Sequence, residues 1–353
     1  MNPYDFVRVD WSRPPSRTPY TPHDRFTGWT GYLDCRLTVE TPLFIPKPRT
    51  AGASVVSGPK DFITNGTKTP VVPGSSLKGL VRSLVETLGP GCWKLYDGQY
   101  KDRDKYGDDK PIPLPSLFRP CMDNQRLCPA CRMFGLVSGN EASLLGKVGI
   151  DDALCEEARP HAAVFTPILG GPKPRHTVWY TDLEGRPAGR KYYFHHTQIQ
   201  TENALRKTKG DVVINEHIKP LDQGTVFTFR VHFSNMADDE LALLVYALAL
   251  EPAMRHKLGF AKPAGFGSVR VMVQSLRRQK MADRYRGVGP EQLSGDALDR
   301  LVDELKVQAT RSIAPVTLGD LRRIWRWPPV GTYRFPSQDW FRDYPTTPIS
   351  ETP

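Results

Sequence analysis

PVVPGSSLKGLVRSLVETLG, residues 70–89, is the stretch on which the fold turns. Leu77, Leu80, Val81, Leu84, Val85 and Leu88 recur at the three- and four-residue spacing of one helix face. Ser75 or Ser76 stands where a cap belongs, and Gly89 supplies the stop. Just upstream, Asn65-Gly66 between two short apolar runs signals a hairpin. Further up, GYLDCRLTVETP (31–42) alternates Leu33, Cys35, Leu37 and Val39 with Asp34, Arg36, Thr38 and Glu40, the period of a strand with one buried face. Downstream, TVFTFRVHFS (225–234), the capped apolar helix DDELALLVYALAL (238–250) and an alternating run at 268–276 repeat the theme. Strand and helix in one half, and strand, helix, strand in the other, predict an α+β fold with a split βαβ, ferredoxin-like core, residues 31–281, carrying an insertion at 90–224.

Outside that core, residues 1–30 are rich in proline, arginine and aromatics without periodicity and read as an extended arm. Residues 282–353 read as a helical and aromatic extension, with helices near 295–308 and 317–325 and a tail containing Tyr333, Phe335, Trp340 and Phe341. The 33 prolines and 29 glycines favour strands and loops over helix bundles. No run approaches the roughly 18 apolar residues of a membrane span, and the start lacks the apolar centre of a signal peptide, so a cytoplasmic protein is expected.

The formal charge of +10 is concentrated. Residues 170–210 hold eight Lys/Arg against three acids, and residues 270–286 hold six against Asp283. The first stretch interleaves those cations with Trp179, Tyr180, Tyr192, Tyr193 and Phe194, a combination suited to phosphate attraction and base stacking. Two solvated surface strands would show the same charges.

Cys121, Cys128 and Cys131 lie in CMDNQRLCPAC, and the C-P-A-C step lets two thiolates reach one tetrahedral zinc from a tight turn. Cys92 is the nearest thiol for the fourth position, with Cys155 and His161 as alternatives. A fully cysteine-ligated zinc has no open position and is structural. Residues 73–79, with Ser75, Ser76 and Lys78 at a helix start, and the turn with Gly259, Lys262, Gly265 and Gly267 are both suited to anions, although every capped helix and every glycine turn shares those groups. There is no Walker A pattern and no G-x-G-x-x-G after a strand, which disfavours ATP and dinucleotides.

In order along the chain, TPLFI (41–45), PVVPGSSLKGLVRSLVE (70–86), LCPACRMFG (127–135), GKVGIDDA (146–153), GRKYYFHH (189–196) and LGFAKPAGFGSVRV (258–271) resemble the RAMP superfamily of CRISPR-associated proteins. The resemblance is closest to the Cas seven-type backbone subunits of type III effector complexes and spans residues 31–274. It implies a modified RRM-like core that holds a CRISPR RNA, with a zinc knuckle at about 92–131 and a thumb-like β-hairpin at about 176–197 set in the insertion. Under it, Ser75, Ser76, Lys78, Arg82, Lys262, Gly265 and Gly267 would hold guide phosphates, and Trp179, Arg190, Lys191, Tyr193, His195 and His196 would serve the thumb. Asp61, the only acid in residues 41–73, would support cleavage of complementary target RNA with Mg2+ or Mn2+. Partners would be other type III subunits or copies of the chain. Two other outcomes remain open at this level: a non-catalytic guide-binding scaffold, and a RAMP endoribonuclease using a histidine base on guide precursors.

Overall fold

The computed structural model describes residues 2–21, 24–47, 58–93, 114–138, 142–169, 177–207 and 213–352. The chain opens with strand β1 (Tyr4–Val7) and the long β2 (Trp29–Val39), and β3 (Val71–Val72) leads into helix α1 (Gly74–Leu88). Then come α2 (Pro129–Phe134), β4 (Gly135–Ser138), β5 (Ala142–Leu145), β6 (Val148–Ile150), β7 (Ala153–Glu157), β8 (Val164–Phe165), β9 (Arg190–Tyr193) and β10 (His217–Ile218). The last third holds β11 (Val226–Met236), α3 (Asp238–Ala249), β12 (His256–Lys257), β13 (Ser268–Lys280), α4 (Met281–Tyr285), β14 (Glu291–Ser294), α5 (Gly295–Ser312), α6 (Pro315–Ile324) and α7 (Gln338–Asp343).

The central sheet runs β12-β13-β2-β11-β7-β3, with β14 added to β13 and β6 to β11. Its pairings are antiparallel. Taken in chain order, the core strands lie fourth, first, third, second across the sheet, the arrangement of a split βαβ fold. The alternation of β2 is realised: Leu33, Cys35, Leu37 and Val39 are buried beneath α1 and α3, and Tyr32, Asp34, Arg36 and Thr38 face the other side. Each fully buried Leu, Val or Phe contributes about 1.5–3 kcal/mol, so this layer is the main source of stability. The second core strand, β6 with β7, falls within residues 90–224, so that segment is only partly an insertion.

Helix α1 begins two residues earlier than a cap at Ser75 would place it. Pro73 takes the cap position and offers no side-chain acceptor of its own, and Asp152 Oδ1 accepts from Gly74 N at 2.7 Å. A Cβ at Gly74 would lie 2.2 Å from the Ile150 carbonyl oxygen, so only glycine lets β6 pass this closely. The hairpin at Asn65 forms as expected, with Asn65 N donating to Thr69 O at 2.9 Å, but the left-handed residue is Lys68 rather than Gly66.

Two expectations change form. The N-terminal segment is extended but tied down: β1 pairs antiparallel with β9, from Tyr4↔Tyr193 to Val7↔Arg190, and Tyr4 and Val7 are buried. Strand β9 therefore has β1 as its ladder partner, and the turn before it is held by the bridge Thr181↔Pro187 and by Ala188 N donating to Tyr180 O at 2.8 Å. Residues 170–176, at the start of the expected thumb, lie outside the described residues. The aromatic tail packs on the same unit, with Tyr333 stacked on Phe194 at 4.6 Å and Phe341 edge-on to Trp179 at 4.9 Å. Among the described residues, no helix is long and apolar enough to cross a membrane.

Candidate thiol centre and phosphate-binding turn

Four thiols converge where the end of α1, the segment before residue 121 and the start of α2 meet. Cys92, Cys121, Cys128 and Cys131 are buried, and their sulfurs lie within 4.8 Å of one another. Cys155 sits apart on β7, and His161 instead contacts the Ala162 carbonyl. Cys92 and Cys131 sulfurs are 3.7 Å apart. That is far from a disulfide bond, but a tetrahedron of 2.3 Å zinc–sulfur bonds has edges of about 3.8 Å, so the donor set fits a tetrathiolate metal.

The surroundings fit the same chemistry. Arg17 Nη1 donates to Cys121 Sγ at 3.2 Å, Arg82 Nη2 reaches Cys131 Sγ at 3.8 Å, and Cys128 N donates to Cys121 Sγ at 3.3 Å. Four thiolates around a divalent ion carry a net charge of −2, which these two guanidiniums offset. Hydrogen bonding among the thiols holds Cys128 well below the usual thiol range and pushes Cys92 and Cys131 above it, so without an ion the cluster shares protons rather than carrying four thiolates. Arg82 also pairs with Glu86 at 2.9 Å, and Arg190 pairs with Glu86 and donates to the Gly91 and Cys92 carbonyls. Arg82 and Arg190, both expected on RNA, are thus engaged in supporting the thiol centre.

The second assembly lies under the glycine turn between β12 and β13. Ala261, Gly265 and Gly267 have φ of 55°, 92° and 75°, and a Cβ at Gly267 would lie 1.8 Å from the Leu258 carbonyl oxygen. The N–H groups of Phe260, Ala264, Gly265 and Gly267 donate to the carbonyls of Phe44, Ala261, Lys262 and Pro42, so these bonds lock the turn in shape. Lys262 Nζ donates to the Gly259 carbonyl. Beneath the turn, Lys257 Nζ donates to Gly265 O and to Ser268 Oγ, each at 3.1 Å, and Thr41 Oγ1 donates to Gly265 O at 2.8 Å. His195 Nε2 faces the Arg255 carbonyl at 3.0 Å and must donate, so Nδ1 accepts from Ser268 Oγ at 2.8 Å. The structure thus brings His195, His196, Lys262, Gly265 and Gly267 together, and adds Thr41, Lys257 and Ser268.

Both histidine rings are buried, so neither imidazole meets solvent. Burial, and then the Lys257 charge, push His195 well below the usual imidazole range and His196 down to about 3; burial lowers His256 to about 4. Neutral imidazoles in the fold that become charged on unfolding mean that the unfolded chain binds more protons, so stability falls as pH drops below about 6.5. We expect a loss of about 2 kcal/mol per buried histidine between pH 6.5 and pH 5. Urea titrations across that range should show it, with a slope one proton shallower in His196→Phe; an unchanged slope in that variant contradicts the assignment.

The other expected contacts are scattered. Trp179 is 1% exposed, and its Nε1 donates to the Thr347 carbonyl. Tyr193 is half-buried beside Tyr4, and the exposed Lys191 lays its ammonium 3.7 Å above the Tyr4 ring. Ser75 is exposed and Ser76 and Lys78 half-buried at the start of α1, near the Asp152 carboxylate. Asp61 is exposed and paired with Lys219 at 3.2 Å. Among the described residues the thiol cluster is the only group of three or more His, Cys, Asp or Glu placed to share a metal, and Asp61 is not part of it. Lys257 was missed because a lysine in so short a strand carries no pattern; the following Leu258-Gly259-Phe260 was the available sign of burial.

No curated protein matches the chain. One solved structure, Csc2 from Thermofilum pendens, is similar at 16% identity and a TM-score of 0.37, over 85% of this chain and 87% of that one. The model of the RAMP superfamily matches residues 36–270, from β2 through the glycine turn into β13. With about two thirds of its 353 residues matched in this way, the chain belongs to the RAMP superfamily.

Proposed function

We propose that this protein is a guide-binding subunit of an RNA-guided CRISPR effector, of the Cas seven type found in type III complexes. The observation that carries this reading is the left-handed turn 259–267, backed by Lys257 and Lys262 and set within the matched core. A cationic turn of that kind meets a phosphodiester by its charge and is indifferent to sequence, as a guide holder must be. Lys191 and Tyr193 on β9 supply a further cation and ring, and Ser75, Ser76 and Lys78 a further anion contact. The thiol centre holds a structural Zn2+. Asp61 supports cleavage of the paired target RNA with Mg2+ or Mn2+, the metal being completed by RNA phosphate and water. Other effector subunits or copies of the chain complete the complex, which acts in the cytoplasm.

The test is to purify the protein with its neighbouring gene products, sequence the bound RNA, and offer a complementary RNA with Mg2+ or Mn2+. Repeat-derived RNA of uniform length is the expected result, and random or absent RNA overturns the reading. Asp61→Ala should lower cleavage by at least about a hundredfold with guide binding unchanged. The pairing of Asp61 with Lys219 favours a scaffold without cleavage as the second reading; wild type that binds guide and never cuts establishes it.

A further inference from the structure

Strand β13 is 13 residues long, and its edge away from β2 is covered only in part. Glu40 N donates to Ser268 O at 2.8 Å, so residues 268, 270 and 272 turn their main-chain groups toward β2, while Val269, Val271 and Val273 turn theirs to the other edge. His256 of β12 meets Val269, and β14 takes up that edge again from Ser275. Val271 and Val273 lie between, and among the described residues no strand pairs with them on that side. The gap has two causes. The chain before β12 turns away, with Arg255 N donating to Trp325 O at 3.2 Å, and β14 gives way to α5 at Gly295, whose φ is 56°. A cleft of about 170 Å³ opens at the gap between the end of α3 and α5, lined by Leu250, His256, Val271, Val273, Val302 and Lys306. His256 Nε2 donates to the Ala247 carbonyl at 2.8 Å, so its Nδ1 is an acceptor, and that atom is buried without a hydrogen-bond partner. Arg270 and Asp299 border the same cleft, are exposed and, among the described residues, form no ion pair. An open strand edge, an orphaned buried acceptor and a cleft thus meet in one place.

We propose that an extended segment of a partner protein adds a short strand to β13 at Val271 and Val273 and lodges one tyrosine in the cleft between α3 and α5. The edge decides the class of ligand. Val271 and Val273 present main-chain groups two residues apart, which is the repeat of another extended chain, whereas a single nucleobase reaches only one of them. The cleft is close in size to the roughly 150 Å³ cavity that houses one benzene ring, so a single ring-sized side chain fills it, and a phenol hydroxyl gives His256 Nδ1 its donor. Arg270 and Asp299 favour a segment with one acid and one base beside that tyrosine. This surface goes beyond guide binding and does not depend on it.

The experiment measures amide hydrogen exchange over residues 270–274 in the full-length chain alone, in the chain with single-stranded RNA of mixed sequence, and in the complex purified with its neighbouring gene products. The Val271 and Val273 amides should exchange quickly in the first two and about a hundredfold more slowly in the complex. A blocked five-residue peptide with a central tyrosine between valines, added to the chain alone at millimolar concentration, should slow the same two amides, and the same peptide methylated on its backbone nitrogens should not. Val302→Trp, which fills the cleft, should cancel both effects and leave guide binding unchanged. Because the exchange is read on wild type, the result stands even if that variant does not fold. Amides that are already slow in the chain alone, that are slowed by RNA alone or by raising the concentration of the chain itself, or that do not respond to the complex or to the peptide overturn the proposal, as does an equal effect of the methylated peptide.

Discussion

Cys128→Ser is expected to release the metal from the thiol centre and detach the segments that meet there. Structural zinc binding is worth about 10–16 kcal/mol in small zinc-dependent peptides, comparable with the whole stability of an ordinary domain. Here four thiolates without their ion would leave up to four negative charges in a buried pocket, with only Arg17 and Arg82 to face them. The pocket must open or protonate. Wild type should carry one zinc per chain, released by a thiol reagent, and chelation should expose residues 2–21 to protease because Arg17 loses its sulfur acceptor. Cys155→Ser, on β7 and outside the cluster, should keep the full zinc content. Protein that folds in chelator with unchanged protease resistance and no bound zinc rejects the assignment.

Glu240→Ala is expected to cost about 3–5 kcal/mol, the range for removing one partner of a buried ion pair. Glu240 is 2% exposed and accepts from Arg132 Nε at 2.9 Å and Lys147 Nζ at 2.8 Å, and both cations are buried with it. It also accepts from Ala237 N at 3.1 Å, so the same carboxylate caps α3. Removing it strands two cations at once, and their other partners, the Thr18 and Thr21 hydroxyls and the Ser16 and Leu127 carbonyls, cannot neutralise them. Chemical denaturation of the two proteins measures the difference; a loss below about 1 kcal/mol would show that water already reaches the cluster. Replacing all three charges by apolar residues of similar size should recover most of the loss.

Much of the core was legible because its signals are local. The helix face of α1 and the alternation of β2, β11 and β13 are written in consecutive residues, and burial follows the pattern residue by residue. The C-P-A-C spacing announced the thiol centre for the same reason. Arg17 did not, because its contact with Cys121 spans 104 residues and nothing near Arg17 marks it. The basic aromatic stretch misled in a specific way. Trp179, Tyr192, His195 and His196 read as a surface strand from composition, yet they are buried, since β1, α6 and the aromatic tail cover them. A cover supplied by both ends of the sequence leaves no trace in the stretch that it covers. Ser75 and Ser76 show a local rule displaced by a tertiary one, because Asp152 from beyond β6 takes the role expected of a serine cap.

The position of β1 sets a timetable for synthesis. Tyr4–Val7 pairs with β9, and the Arg8 backbone and guanidinium both donate to Asp320, 312 residues later. At about 5–20 residues per second, the ribosome needs on the order of 15–60 s to deliver that acceptor. Until β9 is made the first strand has an open edge and no mate, and until Asp320 is made Arg8 lacks its acceptor. A newly made chain interrupted before β9 would carry a bare, pairing-competent strand, and one interrupted before α6 would still lack the acceptor for Arg8.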